Sequence, residues 1–428
     1  MLLLNHIAKK MHGEITLTAS KSESNRALII QALCDEKFKI ENLAEAEDTQ
    51  ILKQLLADIE SEHSDNNLHT LCVGLAGTVM RFMTAYLSIQ DKKYVLTGEQ
   101  RMKERPIKIL VDVLNELGAD ISYQEKEDYP PLSIIGCDLK GGSVKLDGSV
   151  SSQYISALLM IAPTLKNGLQ IEFDGELISK PYVDMTISMM RYFGAEIELE
   201  ENSIKVKSGK YIAKDFTVEG DWSAASYWYS MVALAREAEI TLYGLKKDSL
   251  QGDAVVAEIY KKFGVETTYF DGGIRLTKIC HSEFIEETNF EVDFSNCPDI
   301  AQTVAVTCAV LNVKARLTGL KTLRIKETDR ITALQNELNK LGFNVEVDGD
   351  DLLINRHSCE SRKRKFSEAN LPDWSNKIIK TYNDHRMAMA FAPLSLINEI
   401  IIEDAEVVKK SYPSFWGDID KLLANRCC

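Results

Sequence analysis

The sequence predicts an α/β protein built from six similar units. Three observations carry that prediction: a helix-to-strand phrase that recurs at a near-constant interval, a second phrase that opens apolar helices at a similar interval, and a chain length that divides accordingly. In the first phrase an amphipathic helix runs into an aromatic residue or leucine, then glycine, then an alternating strand. Its copies are Asn115-Glu116-Leu117-Gly118-Ala119-Asp120, Arg191-Tyr192-Phe193-Gly194-Ala195-Glu196, Lys261-Lys262-Phe263-Gly264-Val265-Glu266 and Lys340-Leu341-Gly342-Phe343, with the glycines 76, 70 and 78 residues apart. Each glycine falls where a helix C-cap needs a left-handed backbone. The residues that follow, such as Ala195 to Val206, alternate with the period of a half-buried sheet.

In the second phrase small, polar or charged residues open an apolar, alanine-rich helix. Copies start near Ser24, Thr78, Ser151, Ser223, Asp299 and Asp384, at intervals of 54, 73, 72, 76 and 85 residues. Six units in 428 residues gives about 71 residues each, a supersecondary module that buries its apolar face against its neighbours. The long last interval holds Cys359-Glu360-Ser361-Arg362-Lys363-Arg364-Lys365, part of a polar insertion over 359–372 expected as a solvated loop.

At 428 residues the chain exceeds one ordinary core, and two domains are expected. Hydrophobic residues at 45% suffice for a large interior, so a folded rather than a disordered chain is expected. No run reaches the length of a membrane span, and Met1-Leu2-Leu3-Leu4 is shorter than the apolar region of a secretory signal, so a cytoplasmic protein is expected. The cysteines, at 34, 72, 137, 280, 297, 308, 359, 427 and 428, form no Cys-x-x-Cys pair and have no histidines at zinc spacing. They are expected as reduced thiols with no metal site, the last two on a frayed terminus. A net charge of −14 argues against nucleic acid or an anionic membrane as partner. It also requires that any anionic ligand be held by cations concentrated in a few places. Helix starts, with free N–H groups and a partial positive charge, suit that task.

The first such start is Ala19-Ser20-Lys21-Ser22-Glu23-Ser24-Asn25-Arg26, ahead of the apolar run Ala27 to Leu33. Lys21 and Arg26 each suit an anionic oxygen and the serines add hydroxyl donors, although a capped surface helix carries the same residues. Next comes Gly74-Leu75-Ala76-Gly77-Thr78-Val79-Met80-Arg81, where Gly77 lets the backbone approach a ligand. Arg101-Met102-Lys103-Glu104-Arg105-Pro106 sets three cations before a helix, with Pro106 expected as its first residue and Arg105 at its entrance. Ser149-Val150-Ser151-Ser152-Gln153 lines up neutral hydrogen-bonding groups before Tyr154 to Met160, suited to the phosphate and hydroxyls of a sugar-like ligand or to a plain helix cap. Ser179-Lys180-Pro181-Tyr182 opens the next helix similarly.

In the second half, Asn296-Cys297-Pro298-Asp299 opens Ile300 to Leu311, and the Asp299 carboxylate is either a helix cap or a general base. Arg324-Ile325-Lys326-Glu327-Thr328-Asp329-Arg330 is dense in both signs, with Lys326 and Arg330 expected on one helical face and Glu327 adjacent. Tyr382-Asn383-Asp384-His385-Arg386-Met387-Ala388-Met389-Ala390 and Lys409-Lys410-Ser411-Tyr412-Pro413 put cations at two more element starts. Any one of these fits a solvated surface; their recurrence marks an anion site.

From about Leu17 to Pro413, and in the same order, these motifs resemble those of the 5-enolpyruvylshikimate-3-phosphate synthase family. The most specific are Ser20-Lys21-Ser22 with Ser24-Asn25-Arg26, Arg101 to Pro106, Ser151-Ser152-Gln153, Ser179 to Tyr182, Lys326 to Arg330 and Tyr382 to Met389. The resemblance implies an inside-out α/β barrel fold of two similar domains, each of three βαβαββ units with helices inside and sheets outside. One domain would be 20–219, the other 1–19 with 220–428, completed by the first strand and linked by crossings near Ser20 and Glu219. It implies transfer of the enolpyruvyl group of phosphoenolpyruvate to the 5-hydroxyl of shikimate 3-phosphate, with release of phosphate, by a cytoplasmic monomer whose partners are these two small molecules, without a cofactor.

Residue by residue, it implies that Lys21, Ser22, Arg26, Ser151, Ser152, Gln153, Ser179, Asp299 and Lys326 contact shikimate 3-phosphate. Lys21, Gly77, Arg105, Gln153, Arg330, Arg386 and Lys410 would contact phosphoenolpyruvate, and Asp48, Arg81, Tyr182, Glu327 and His385 match positions in or near the site. Asp299 would be the base near the attacking hydroxyl, Glu327 or Lys21 the acid that protonates C3, and domain closure would exclude water. Thr18-Ala19, Leu75 and Thr322 depart from the family pattern, the last two removing possible hydrogen bonds. The alternatives are the sister enzyme that transfers enolpyruvyl to UDP-N-acetylglucosamine, whose reactive cysteine is missing between Leu75 and Arg81, and a non-catalytic ligand-binding paralogue. Both proposed proton-transfer groups would be superfluous in a paralogue that only binds.

Overall fold

The computed structural model describes residues 1–5, 10–61, 69–279, 290–356 and 371–424; Cys280, Cys359, Cys427, Cys428 and residues 359–370 of the polar insertion lie outside them. The chain forms two compact units, Ser20–Val218 and Met1–Ala19 with Glu219–Cys428. Each has its own hydrophobic cluster.

One strand order recurs in four of the sheets: two parallel strands, then an antiparallel hairpin that adds its second strand first. In Ser20–Val218, His69–Cys72 runs parallel to Lys93–Thr97, which pairs with Leu132–Ile135 and, beyond it, Asp120–Tyr123. Gly142–Asp147, Leu169–Asp174, Ser203–Val206 and Ile197–Glu200 repeat the order. A parallel pair, Ile40–Glu41 with Phe216–Thr217, makes this unit's third sheet. In the other unit Lys10–Thr16, from the start of the chain, runs parallel to Glu237–Tyr243 and so supplies the first strand of a sheet otherwise built 227 residues later. Among the described residues no strand pairing continues from one of these sheets to the next.

Six helices begin where the second sequence phrase places them: Lys21–Leu33, Gly77–Leu87, Ser152–Ile161, Trp222–Leu234, Ala301–Val310 and His385–Phe391. Every residue of Trp222–Leu234 and of Ala301–Val310 is buried. A helix enclosed all round needs no polar face, which is why these sequences are mostly apolar without helical periodicity. Helices such as Lys108–Glu116 and Arg330–Lys340 bury one stripe only and carry the amphipathic pattern. Lys108–Glu116 ends at Gly118 with φ +104°, a conformation that a side chain would strain.

Two expectations change. Ala195 to Val206 is not one alternating run but a hairpin, Ile197–Glu200 against Ser203–Val206, because Ile197 faces Val206 and in-out alternation is shared by both arms. Pro106 is not the first helical residue: the helix starts at Lys108 after Ile107. The Pro106 carbonyl is committed instead to Arg81 Nη2 at 3.1 Å and the Tyr154 hydroxyl at 2.6 Å.

Candidate active site

Each unit carries its own set of the residues singled out by sequence. In Ser20–Val218 the set is built on helix starts. Ser20 caps Lys21–Leu33, its Oγ accepting from the Glu23 amide. Lys21, in the first turn, pairs with Asp48 Oδ2 at 2.9 Å, both side chains being largely buried. Ser22 lies beside it, half-buried.

Arg26, one turn further, is buried, and four of its five N–H groups are engaged. Nε donates to Thr186 Oγ1 (2.7 Å), Nη1 to the Ser22 carbonyl (2.9 Å), and Nη2 to Ser156 Oγ (3.2 Å) and the Tyr182 carbonyl (3.1 Å). All four acceptors are uncharged. Burial pulls the guanidinium down to about 10, with Tyr182 and Glu23 opposing, and an anion held at the remaining N–H would add counter-charge.

Gly77 and Arg105 meet face to face. A Cβ on Gly77 would lie 2.5 Å from Arg105 Nη1, so only glycine leaves room for the guanidinium. Arg105 is 9% exposed, and its Nε has no hydrogen-bond partner among the described residues. Gln153 Nε2 donates to Thr78 Oγ1 at 3.1 Å, which brings the Ser151–Gln153 segment beside this pair. Ser151 caps its helix through the Gln153 amide, and Ser152 is buried at the first position. Ser179 is held at φ 56°, ψ 35° at the start of Lys180–Tyr192 and makes no cap bond. A left-handed serine is strained by about 1–3 kcal/mol, a conformation usually kept for a function.

The other unit gathers four cations and three carboxylates. Asp299 does not cap its helix. Its Oδ1 lies 3.3 Å from Arg330 Nη1 and 3.8 Å from Lys326 Nζ, and its Oδ2 2.9 Å from Arg386 Nη2. Glu327 lies between Arg330 Nη2 (2.9 Å) and Lys410 Nζ (2.8 Å). Asp384 takes Arg330 Nε at 2.7 Å and caps the next helix by accepting from the Arg386 amide. Burial pulls Arg330 down, but Asp384, Glu327 and Asp299 outweigh it and hold the group above the usual arginine range. His385 is buried with Nδ1 3.8 Å from Asp384 Oδ1.

Lys326 and Arg330 do not share a helical face. Lys326 follows a 3-10 turn, whereas Asp329 caps Arg330–Lys340, so Arg330 begins a separate element. The two cations converge because both reach Asp299. The Thr322 hydroxyl, at one of the positions that depart from the family pattern, is buried without a hydrogen-bond partner among the described residues.

Sequence reasoning missed Asp253. Its buried carboxylate accepts from Ser223 Oγ, while Oδ1 has no partner among the described residues. Burial first, then the charge of Asp299, pushes the carboxyl up to about 7, with Arg386 opposing. A single aspartate between a glutamine-glycine pair and an alanine gives no periodic or charge signal. The raised value has a consequence for stability. The fold retains a proton that the unfolded chain releases near pH 4, so this contribution is complete below about pH 4 and is lost as pH rises towards about 7. Asp253→Asn cannot ionise. The Tm of the unsubstituted protein is expected to fall relative to that of the variant between pH 4.5 and pH 7.5, and a constant difference would show that Asp253 does not titrate there.

Residues 6–419 match the family model described as EPSP synthase (3-phosphoshikimate 1-carboxyvinyltransferase). The chain is 46% identical over 414 residues to a 3-phosphoshikimate 1-carboxyvinyltransferase of Bacteroides fragilis (strain YCH46), covering 96% of this chain and 95% of that one. It is 37% identical over 437 residues to a protein of the same name from Haemophilus influenzae (strain PittGG), covering 96% of each. Its fold is similar to that of an EPSP synthase structure from Acinetobacter baumannii, with TM-score 0.74, 23% identity and 96% of each chain covered.

Proposed function

The chain belongs to the EPSP synthase (3-phosphoshikimate 1-carboxyvinyltransferase) family, and from that premise we propose how its residues divide the reaction. It is a transferase of the shikimate pathway of aromatic amino-acid biosynthesis, moving the enolpyruvyl group of phosphoenolpyruvate to the 5-hydroxyl of shikimate 3-phosphate with release of phosphate. Lys21, Ser22, Arg26, Ser151, Ser152, Gln153, Ser179, Asp299 and Lys326 bind shikimate 3-phosphate. Lys21, Gly77, Arg105, Gln153, Arg330, Arg386 and Lys410 bind phosphoenolpyruvate. The observation that carries this assignment is the pair of under-compensated buried guanidiniums, Arg26 with uncharged hydrogen-bond acceptors and Arg105 with Nε unpartnered among the described residues, beside serine and glutamine hydroxyl and amide groups.

In the proposed chemistry Asp299 takes the proton of the 5-hydroxyl as its oxygen attacks C2, and Glu327 or Lys21 delivers a proton to C3. The adduct then loses a C3 proton and phosphate, which restores the double bond. Charge is what the step must manage, and Arg105, Arg330, Arg386 and Lys410 are suited to hold the carboxylate and the departing phosphate. Of the two candidate acids, Lys21 lies against Asp48, and Glu327 lies between Arg330 and Lys410. We further propose that the chain acts as a cytoplasmic monomer; no helix among the described residues is long and apolar enough to cross a membrane.

The test is phosphate release by the purified chain, which should require both substrates together; none from folded protein would overturn the reading. Gly77→Ala tests one contact. The added Cβ must displace the Arg105 guanidinium, 2.5 Å away at Nη1. Because that side chain is flexible at its far end, the fold should survive while the KM for phosphoenolpyruvate rises about tenfold or more, in steady-state assays at saturating shikimate 3-phosphate.

A further inference from the structure

We propose that Glu337 is a positioning residue: it holds the left-handed turn Tyr382-Asn383 and thereby aims Asp384 and Arg386. The proposal rests on the assignment of Arg330 and Arg386 to phosphoenolpyruvate. Glu337 lies seven residues, two helical turns, after Arg330 on the helix Arg330–Lys340, and its side chain is 2% exposed. A carboxylate so deeply buried needs a reason.

Both of its oxygens point to one neighbouring segment. Oε2 accepts from the Lys380 amide at 3.1 Å and Oε1 from the Tyr382 hydroxyl at 2.8 Å, while Lys340 Nζ supplies the counter-charge. The second contact, Tyr382, and the residue after it are unusual. Tyr382 has φ 54° and Asn383 φ 57°, successive left-handed positions without glycine, and a tyrosine enters that region reluctantly. The turn is closed by the Asp384 amide donating to the Thr381 carbonyl at 2.9 Å. Asp384 emerges directly from it, gripping Arg330 through Nε and accepting from the Arg386 amide.

One helix thus provides both ends of the arrangement. Its first residue, Arg330, is gripped by Asp384, and Glu337 on the same helix fixes the turn that delivers Asp384. If the turn relaxed towards ordinary backbone angles, Asp384 and the start of His385–Phe391 would rotate away from Arg330. Arg386 would move with that start and leave Asp299, 2.9 Å from its Nη2.

Glu337→Gln keeps the size but removes the charge and replaces one acceptor oxygen with an N–H₂ group, so the side chain can no longer accept from the Lys380 amide and the Tyr382 hydroxyl at once. The expected result is a KM for phosphoenolpyruvate raised about tenfold, with the Kd for shikimate 3-phosphate changed less than about twofold in calorimetry. Adding Asn383→Gly, which occupies φ 57° without a Cβ, should bring KM back to within about threefold of the starting value. A purely architectural glutamate would lower Tm and the active fraction and leave KM alone. An unchanged KM in Glu337→Gln, or a raised KM that Asn383→Gly does not reduce, overturns the proposal. Should Glu337→Gln fail to fold, Tyr382→Phe removes one of the two bonds and is expected to raise KM about threefold; no rise there counts equally against it. Absence of turnover in the unsubstituted protein would instead be a failure of the assigned reaction.

Discussion

Asp299→Ala is expected to lower kcat by about 10³- to 10⁴-fold while shikimate 3-phosphate binding remains measurable. The size follows from two losses in one substitution. The proposed general base disappears, and Lys326, Arg330 and Arg386 lose the anion they share. Cations no longer held in place can collapse on Glu327 and Asp384 and present the wrong geometry to phosphoenolpyruvate. Binding of shikimate 3-phosphate persists because most of its proposed contacts, from Lys21 to Ser179, belong to Ser20–Val218 and are untouched. Single-turnover kinetics with calorimetry separates the two quantities. A kcat near that of the unsubstituted protein would remove Asp299 from proton transfer, and Asp299→Asn, which keeps the shape but not the charge, should be nearly as slow.

The second large effect is on the fold. Arg330→Met is expected to destabilise the unit containing it by about 3–5 kcal/mol and to abolish turnover. Arg330 is 1% exposed, and its Nε, Nη1 and Nη2 reach Asp384, Asp299 and Glu327 respectively. Methionine fills the volume but leaves Asp384, itself fully buried, without its nearest cation. For a unit of this size that loss lowers Tm by roughly 10 °C or more. Arg330→Lys should rescue little, since one ammonium cannot address three carboxylates from a planar fork. Thermal and denaturant unfolding check both variants; a loss under about 1 kcal/mol would mean that the network does not hold this unit together.

Local rules made the scaffold legible. Glycine after an aromatic or leucine marks helix ends, and small apolar runs mark helices enclosed all round, so six core helices could be placed from sequence. The chemistry of their first turns was also visible, because Lys21, Arg26, Arg105, Ser151, Asp299 and Arg386 are residue types that a buried core would not otherwise select. What sequence could not show is which of these meet. Arg330 and Asp384 are 54 positions apart and Asp299 and Arg386 are 87, and nothing in the spacing joins them. The same limit explains two misplacements. Lys326 and Arg330 suggested one helical face because they are four apart, yet a cap at Asp329 divides them. Pro106 suggested a helix start, yet its carbonyl serves Arg81 and Tyr154. Asp253 and Glu337 were invisible for another reason: their roles come from burial, and a lone acid in a loop or on a helix resembles any solvated one.

The most direct measurement is the structure of the product formed from carbon-labelled phosphoenolpyruvate, followed by NMR with shikimate 3-phosphate or UDP-N-acetylglucosamine as acceptor. The expected result is a labelled carboxyvinyl ether on the 5-oxygen of shikimate 3-phosphate, formed in step with inorganic phosphate, and no transfer to the UDP-sugar. Phosphate released as labelled pyruvate, without an ether, or an ether on the UDP-sugar instead, would contradict it.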